Sequence, residues 1–137
     1  MKVLVMYVDE FAYKPAQKTL ESAEEITEGA TFTDSIIAFI QVEESDEEKG
    51  VNSREKKLVN HLKWAARKNN CKKVILHSFA HLSESKASVD FTKQLFDLAE
   101  IRLQNAEFTT AQTPFGYFLD LKISAPGYSL ARIWASL

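Results

Sequence analysis

The chain has 137 residues, 45% of them hydrophobic and 26% charged, which suits one domain with its own core and excludes two domains of ordinary size or a disordered or fibrous chain. A formal net charge of -2 excludes a global attraction to polyanions, so any contact with RNA has to come from a local basic cluster. The single cysteine, Cys71, excludes an internal disulfide, and the apolar run of "MKVLVMYVDE" stops at Asp9, too early for a signal segment or a membrane span; the simplest location is the cytoplasm, with no membrane as partner.

Residues 2–8, "KVLVMYV", predict a short buried strand closed by Asp9 and Glu10, with a second strand at 11–14. The stretch 15–29 is polar and weakly patterned, which leaves a loop and an irregular hairpin both open. Residues 34–43, "DSIIAFIQVE", are apolar almost without a break and predict a strand covered on both faces. The acidic run Glu43 to Glu48 reads as a solvated loop. Asn52 and Glu55 have capping-box spacing, and Leu58, Leu62, Ala65 and Ala66 recur at helical intervals, so a helix is predicted over 53–69. Its opposite side carries Lys56, Asn60, Lys63 and Arg67 in one stripe, either an ordinary wet face or a phosphate-contacting one.

"KKVILHSFAHL" (72–82) predicts a strand running into an aromatic, histidine-bearing turn. A second helix over 88–104 has Phe91, Leu95, Leu98 and Ala99 on one side and Ser88 as its N-cap. A short strand at "AEFTT", a strand over 115–124, a Pro126-Gly127 turn and the segment "SLARIW" complete the order. These elements predict an α/β protein with a mixed, largely antiparallel sheet covered by two helices on one face. The hairpin-linked end and the lack of G-x-G-x-x-G or P-loop patterns argue against a doubly wound nucleotide-binding sheet.

Of three histidines, His61 reads as a partly covered helix residue, while His77 and His81 lie around the end of a strand. His81 is the better candidate, because a strand-end turn brings side chains and amides to a cleft, and Ser78 and Ser83 flank it. A Ser78-His81-Asp90 triad has no nucleophile-elbow pattern behind it. No Cys or His pair has metal-site spacing, so neither a metal nor a cofactor is expected.

"FAHLS" (79–83), followed by "PFGY" (114–117) and "LKIS" (121–124), resembles the N-terminal editing domain of archaeal threonyl-tRNA synthetases. The opening strand with Asp9 and Tyr13, "AFIQVE" (38–43) and the Lys86, Ser88, Val89 helix start also fit, so the resemblance covers nearly the whole chain. It implies a D-aminoacyl-tRNA deacylase-like fold, a homodimer, and hydrolysis of serine wrongly attached to threonine tRNA, with the RNA and backbone amides assisting. By the same resemblance His81 is the catalytic residue beside the aminoacyl group. Phe79, Ala80, Asp90, Tyr117, Phe118 and Leu119 are expected in the substrate site, joined by Ser78 from its place beside His81, and the helix stripe supplies Lys56, Lys63 and Arg67 as the RNA-contacting candidates. The implied partners are the aminoacylated tRNA 3′ end and a threonyl-tRNA synthetase.

Several positions depart from the family pattern. Its site lysine falls at Leu119, the preceding tyrosine at Phe118, its glutamate at Arg132, a first-strand histidine at Tyr7 and a helix-start alanine at Asp90, and "GHPL" survives only as Gly127-Tyr128-Ser129-Leu130. Joint loss of the lysine and glutamate is coherent, since removing one member of an opposite-charge pair strands the other. In a regular strand Asp120 and Lys122 face away from Leu119 and cannot replace the lysine. Two readings follow: a deacylase of altered specificity, or a catalytically degenerate module binding an amino acid, an aminoacyl-adenosine or a protein partner. No part of the chain could activate threonine with ATP, so it is a free-standing factor or a fragment; the absence of a linker-like tail after "ARIWASL" favours the former.

Overall fold

Residues 35–42 are buried without interruption, and the computed structural model, which describes residues 1–137, shows the two layers that cover them. The elements run β1 (Lys2–Lys18), β2 (Ala30–Gln41), α1 (Glu44–Lys49), α2 (Val51–Lys68), β3 (Lys73–Ser78), α3 (Val89–Asn105), β4 (Thr109–Gln112), β5 (Tyr117–Ser124), a 3-10 turn (Ser129–Ala131) and β6 (Arg132–Ser136). The sheet order is β4-β3-β2-β1-β5, with β6 also paired to β1. β2, β3 and β4 run parallel, and β1 is antiparallel to β2, β5 and β6.

On one face Val3, Val5, Ile36, Ala38, Ile40, Val74 and Leu76 pack against Leu58, Leu62 and Ala66 of α2 and Leu95, Phe96 and Leu103 of α3. On the other, Val8, Phe11, Ile37, Phe39 and Ile75 form a second cluster with Phe79 and Leu82 from the turn after β3. Two-sided cover is why β2 carries no polar alternation from Ile36 onward, whereas Ala30 to Thr33, outside that cover, still alternate in exposure.

Three local expectations are corrected. The predicted strands 2–8 and 11–14 and part of the open stretch form one strand of 17 residues. Its end, beyond Tyr13, has lost β2 and pairs only with β5, with a register shift between Pro15 and Gln17. Backbone ladders hold that end, so side-chain patterning is weak, and Pro15 is tolerated where one edge is free. The acidic run contains α1, and Asp46 is buried: it accepts from Glu43 N–H (2.7 Å) and pairs with the Met1 ammonium (3.2 Å) and Arg54 Nε (2.8 Å). Helix α2 starts at Val51 after Gly50 (φ 89°) without a side-chain cap, and Glu55 pairs with Arg102 of α3 rather than capping. Ser88 does cap α3, accepting from Phe91 N–H at 3.2 Å.

β1 also shapes the molecule. Val3 pairs with Ile40, which pairs with Ser78 at the end of β3, while Gln17 pairs with Phe118. Along a flat strand Val3 and Gln17 would be roughly 45 Å apart. Yet the rings of His81, three residues past Ser78, and Phe118 lie 6.4 Å apart. The sheet therefore curls strongly along β1, carrying β5 over the carboxyl ends of β2 and β3.

Candidate functional site

The space enclosed by that curl is a cavity of about 460 Å³, within the range of roughly 300–1,000 Å³ usual for small-ligand sites. It sits at the carboxyl ends of parallel strands, where loops rather than the sheet meet a ligand. The end of β2 (Ile40, Gln41), Val42 and the segment His77 to His81 form one side. Lys86, Ala87, Val89 and Thr92 at the start of α3 close another, and Phe115 to Leu119 with Leu121 form the facing wall. Thr19 and Leu20, just after β1, complete the rim. Lys86 is the one charged lining residue, and no carboxylate lines the cavity.

The turn after β3 is tied down by one side chain. Gln41, 2% exposed, accepts through Oε1 from Leu82 N–H (2.6 Å) and Ser83 N–H (2.7 Å), and donates through Nε2 to the carbonyls of Ser83 (2.7 Å) and Ser85 (2.9 Å). Phe79 N–H donates to the Ile40 carbonyl at 2.9 Å. Between these anchors the N–H groups of Ala80 and His81 have no acceptor in the protein. Two unpaired amides beside an exposed histidine are donors for an oxygen that gains negative charge.

Ser78, Phe79, Ala80, His81, Tyr117, Phe118 and Leu119 all line the cavity. His81 is exposed, edge-on to Phe79 (4.8 Å) and stacked with Phe118 (6.4 Å). Phe118 and Leu119 form wall rather than plug, with Phe118 52% exposed. The Tyr117 hydroxyl is already used: it donates to the Glu24 carbonyl (2.6 Å) and accepts from Ile26 N–H (3.1 Å), so only its ring faces the cavity. Gly116 (φ 86°) makes the bend before β5; a Cβ there would stand 2.8 Å from Ala23 Cβ.

Other residues are placed elsewhere. Asp90 is exposed in the first turn of α3 and does not line the cavity, where Val89 and Thr92 take that side. His81 has no hydrogen bond to Ser78, and the Ser78-His81-Asp90 triad is not assembled. Lys56, Lys63 and Arg67 lie on the outer side of α2, which contributes nothing to the lining. Arg132 points to the surface and donates to the Pro126 carbonyl (2.9 Å). Tyr7, outside the cavity, donates to the Asp34 carboxylate, and that bond pushes its phenol up to about 12. Asp120 and Lys122 are absent from the lining, while Leu119 and Leu121, of the other parity, are present.

Sequence reasoning missed Gln41, whose signal is a lone amide in an unbroken apolar strand. A buried polar group has to be satisfied by something. It also passed over His77, which lines the cavity at 5% exposure with Nδ1 2.8 Å from Thr113 Oγ1; burial lowers its imidazole to about 4.

Comparison with known proteins places these features in a family. The family described as the archaea-specific editing domain of threonyl-tRNA synthetase matches residues 1–137. The threonine–tRNA ligase of Nitrosopumilus maritimus is 29% identical over 134 residues, 96% of this chain and 21% of that protein. That of Thermococcus onnurineus is 30% identical over 138 residues, 97% of this chain and 22% of that protein. The chain thus spans about a fifth of the length of these relatives. The solved structure of the c-Myc DNA Unwinding Element Binding Protein covers 100% of this chain and 99% of its own at TM-score 0.66 and 11% identity. That likeness concerns the fold alone, which is the D-aminoacyl-tRNA deacylase-like α/β fold implied by the sequence resemblance. On the whole-length match, the chain belongs to the archaea-specific editing-domain family of threonyl-tRNA synthetase.

Proposed function

We propose that this domain hydrolyses the ester joining a wrongly attached amino acid to the terminal adenosine of tRNA, with Ser-tRNA(Thr) as substrate. The observation that carries the reading is the pair of unpartnered amides, Ala80 and His81, beside the exposed His81 side chain in a cavity without carboxylates. With no acidic residue to act as base, His81 takes the proton as the water oxygen bonds to the acyl carbon. The two amides hold the oxyanion. The acyl C–O bond to the ribose then breaks, the ribose oxygen takes a proton, and free amino acid and deacylated tRNA leave. The adjacent ribose hydroxyl helps to hold the water.

Incubation with Ser-tRNA(Thr), Thr-tRNA(Thr) and D-aminoacyl-tRNAs tests this reading. Preferential release of serine is expected, and no release above buffer from any of the three refutes it. The proposal includes contact of Lys56, Lys63 and Arg67 with tRNA phosphates, a threonyl-tRNA synthetase as functional partner, and a cytoplasmic setting. No helix is long and apolar enough to cross a membrane. It also includes a homodimer, supported by exposed apolar side chains outside the cavity lining: Trp134 (58%) on β6 and Ile123 (38%) on β5.

A second reading, a degenerate module that binds an amino acid, an aminoacyl-adenosine or a protein, is favoured by the apolar wall of Phe118, Leu119 and Leu121. Calorimetric binding of amino acids or adenosine esters without any ester release selects it.

A further inference from the structure

His77 is the deeper of the two imidazoles at the cavity. Its ring is edge-on to Phe39 (5.2 Å) and tilted against Phe79 (5.7 Å), which fixes its plane. The direction of its bond to Thr113 follows from what else each partner can reach. Thr113 is 7% exposed, does not line the cavity, and its hydroxyl has no partner except His77 Nδ1. With the bond reversed, Nδ1–H donating and the hydroxyl oxygen accepting, the hydroxyl proton would be left buried without an acceptor. Thr113 therefore donates to Nδ1, and the ring proton of the neutral imidazole sits on Nε2. Nε2 has no protein partner, yet it is not one of the buried orphan atoms; at this position its only outlet is the cavity that the ring lines. Burial, which holds the imidazole down to about 4, keeps the ring neutral near pH 7.

We propose that His77 is a specificity-determining residue of this cavity, whose Nε2–H donates to an oxygen on the acyl side chain and so selects hydroxyl-bearing aminoacyl esters over alkyl ones of equal size. This assignment rests on the proposed deacylase function. The depth of the two rings carries the argument. His81 is exposed at the mouth, where the ester to the tRNA must remain, and His77 is 5% exposed, where only the part of the substrate beyond the ester penetrates. A fixed neutral donor suits a hydroxyl oxygen. An ethyl side chain in the same place leaves the N–H dry, which is the kind of penalty that separates substrates more sharply than a size difference does.

The test uses 3′-amide analogues of adenosine carrying a seryl or an α-aminobutyryl group, titrated calorimetrically into the full chain. Wild type is expected to prefer the seryl analogue by roughly ten- to a hundredfold. His77→Phe collapses the preference, and His77→Gln, which keeps an N–H donor, restores part of it. Thr113→Val lowers the preference although the imidazole remains, because Nδ1 then competes for the proton. Nitrogen-detected imidazole spectra at neutral pH report the Nε2–H tautomer directly. An unchanged preference in His77→Phe, or an Nδ1–H tautomer, overturns the assignment and leaves the deacylase reading standing. Failure of both analogues to bind, together with no ester release from tRNA, overturns both.

Discussion

Replacing Gln41 by leucine tests whether the turn that bears His81 is held by a single amide. The substitution keeps the approximate volume and deletes four hydrogen bonds, to Leu82 N–H, Ser83 N–H, Ser83 C=O and Ser85 C=O. At about 1 kcal/mol per bond, and with ~1 kcal/mol returned by burying the leucine, the net loss is about 3 kcal/mol. Leu82, Ser83 and Ser85 are only half-buried, so the freed groups turn to water and the loss does not rise further. Urea unfolding measures the global part. Hydrogen exchange separates the local part, because Leu82 and Ser83 amides lose protection beyond what global destabilisation explains. Since the same turn carries Ala80 and His81, serine release from Ser-tRNA(Thr) is expected to fall by about a hundredfold. Gln41→Glu retains an acceptor but sets a carboxylate oxygen against two carbonyl oxygens, so it does not rescue. Wild-type exchange at Leu82 and Ser83 with wild-type release in Gln41→Leu refutes the reasoning.

His81→Ala lowers single-turnover release by about 10²-fold or more, while calorimetric affinity for a 3′-amide seryl-adenosine changes little; equal losses in both would assign His81 to binding alone. His77 makes stability depend on acid: its value is about 4 in the fold against 6.5 ordinarily, so the unfolded chain takes the proton first as pH falls. Its contribution is complete above pH 6.5 and is lost down to pH 4, roughly 3 kcal/mol in all; urea melts of His77→Phe should show a correspondingly shallower decline. Changing Lys56, Lys63 and Arg67 together to glutamine weakens tRNA binding and reduces its salt slope by about 2–3, read by filter binding at several salt concentrations, with release from a minimal aminoacyl-adenosine ester unaffected. Gly116→Ala combines a left-handed φ with a contact 2.8 Å from Ala23 Cβ, and thermal melts should show a loss of at least ~1 kcal/mol.

The candidate site was legible in the sequence where local chemistry and placement coincide. The "FAHLS" turn, the Ser88 cap and the aromatic start of β5 all carry their own signals, and each of these segments borders the cavity or its wall. Asp90 was expected in the substrate site and lies outside the cavity lining, because equivalence along a chain does not specify which way an exposed side chain turns. Asp90 lies one residue from a lining valine yet outside the cavity, and Arg132 is held outward by the Pro126 carbonyl.

By itself the sequence determined the alternation of strands and helices, the two-sided burial of β2 and the family, since these follow from hydrophobic period, caps and motif order. Only the tertiary structure decided that β1 continues through Lys18 and curls to bring Phe118 within 6.4 Å of His81. That outcome rests on backbone ladders and accumulated strand twist, which leave little mark on side-chain pattern. The same holds for the burial of Asp46, the four bonds of Gln41 and the pairing of His77 with Thr113. Each involves a partner 36 to 45 residues away, which no local reading of the chain could bring together.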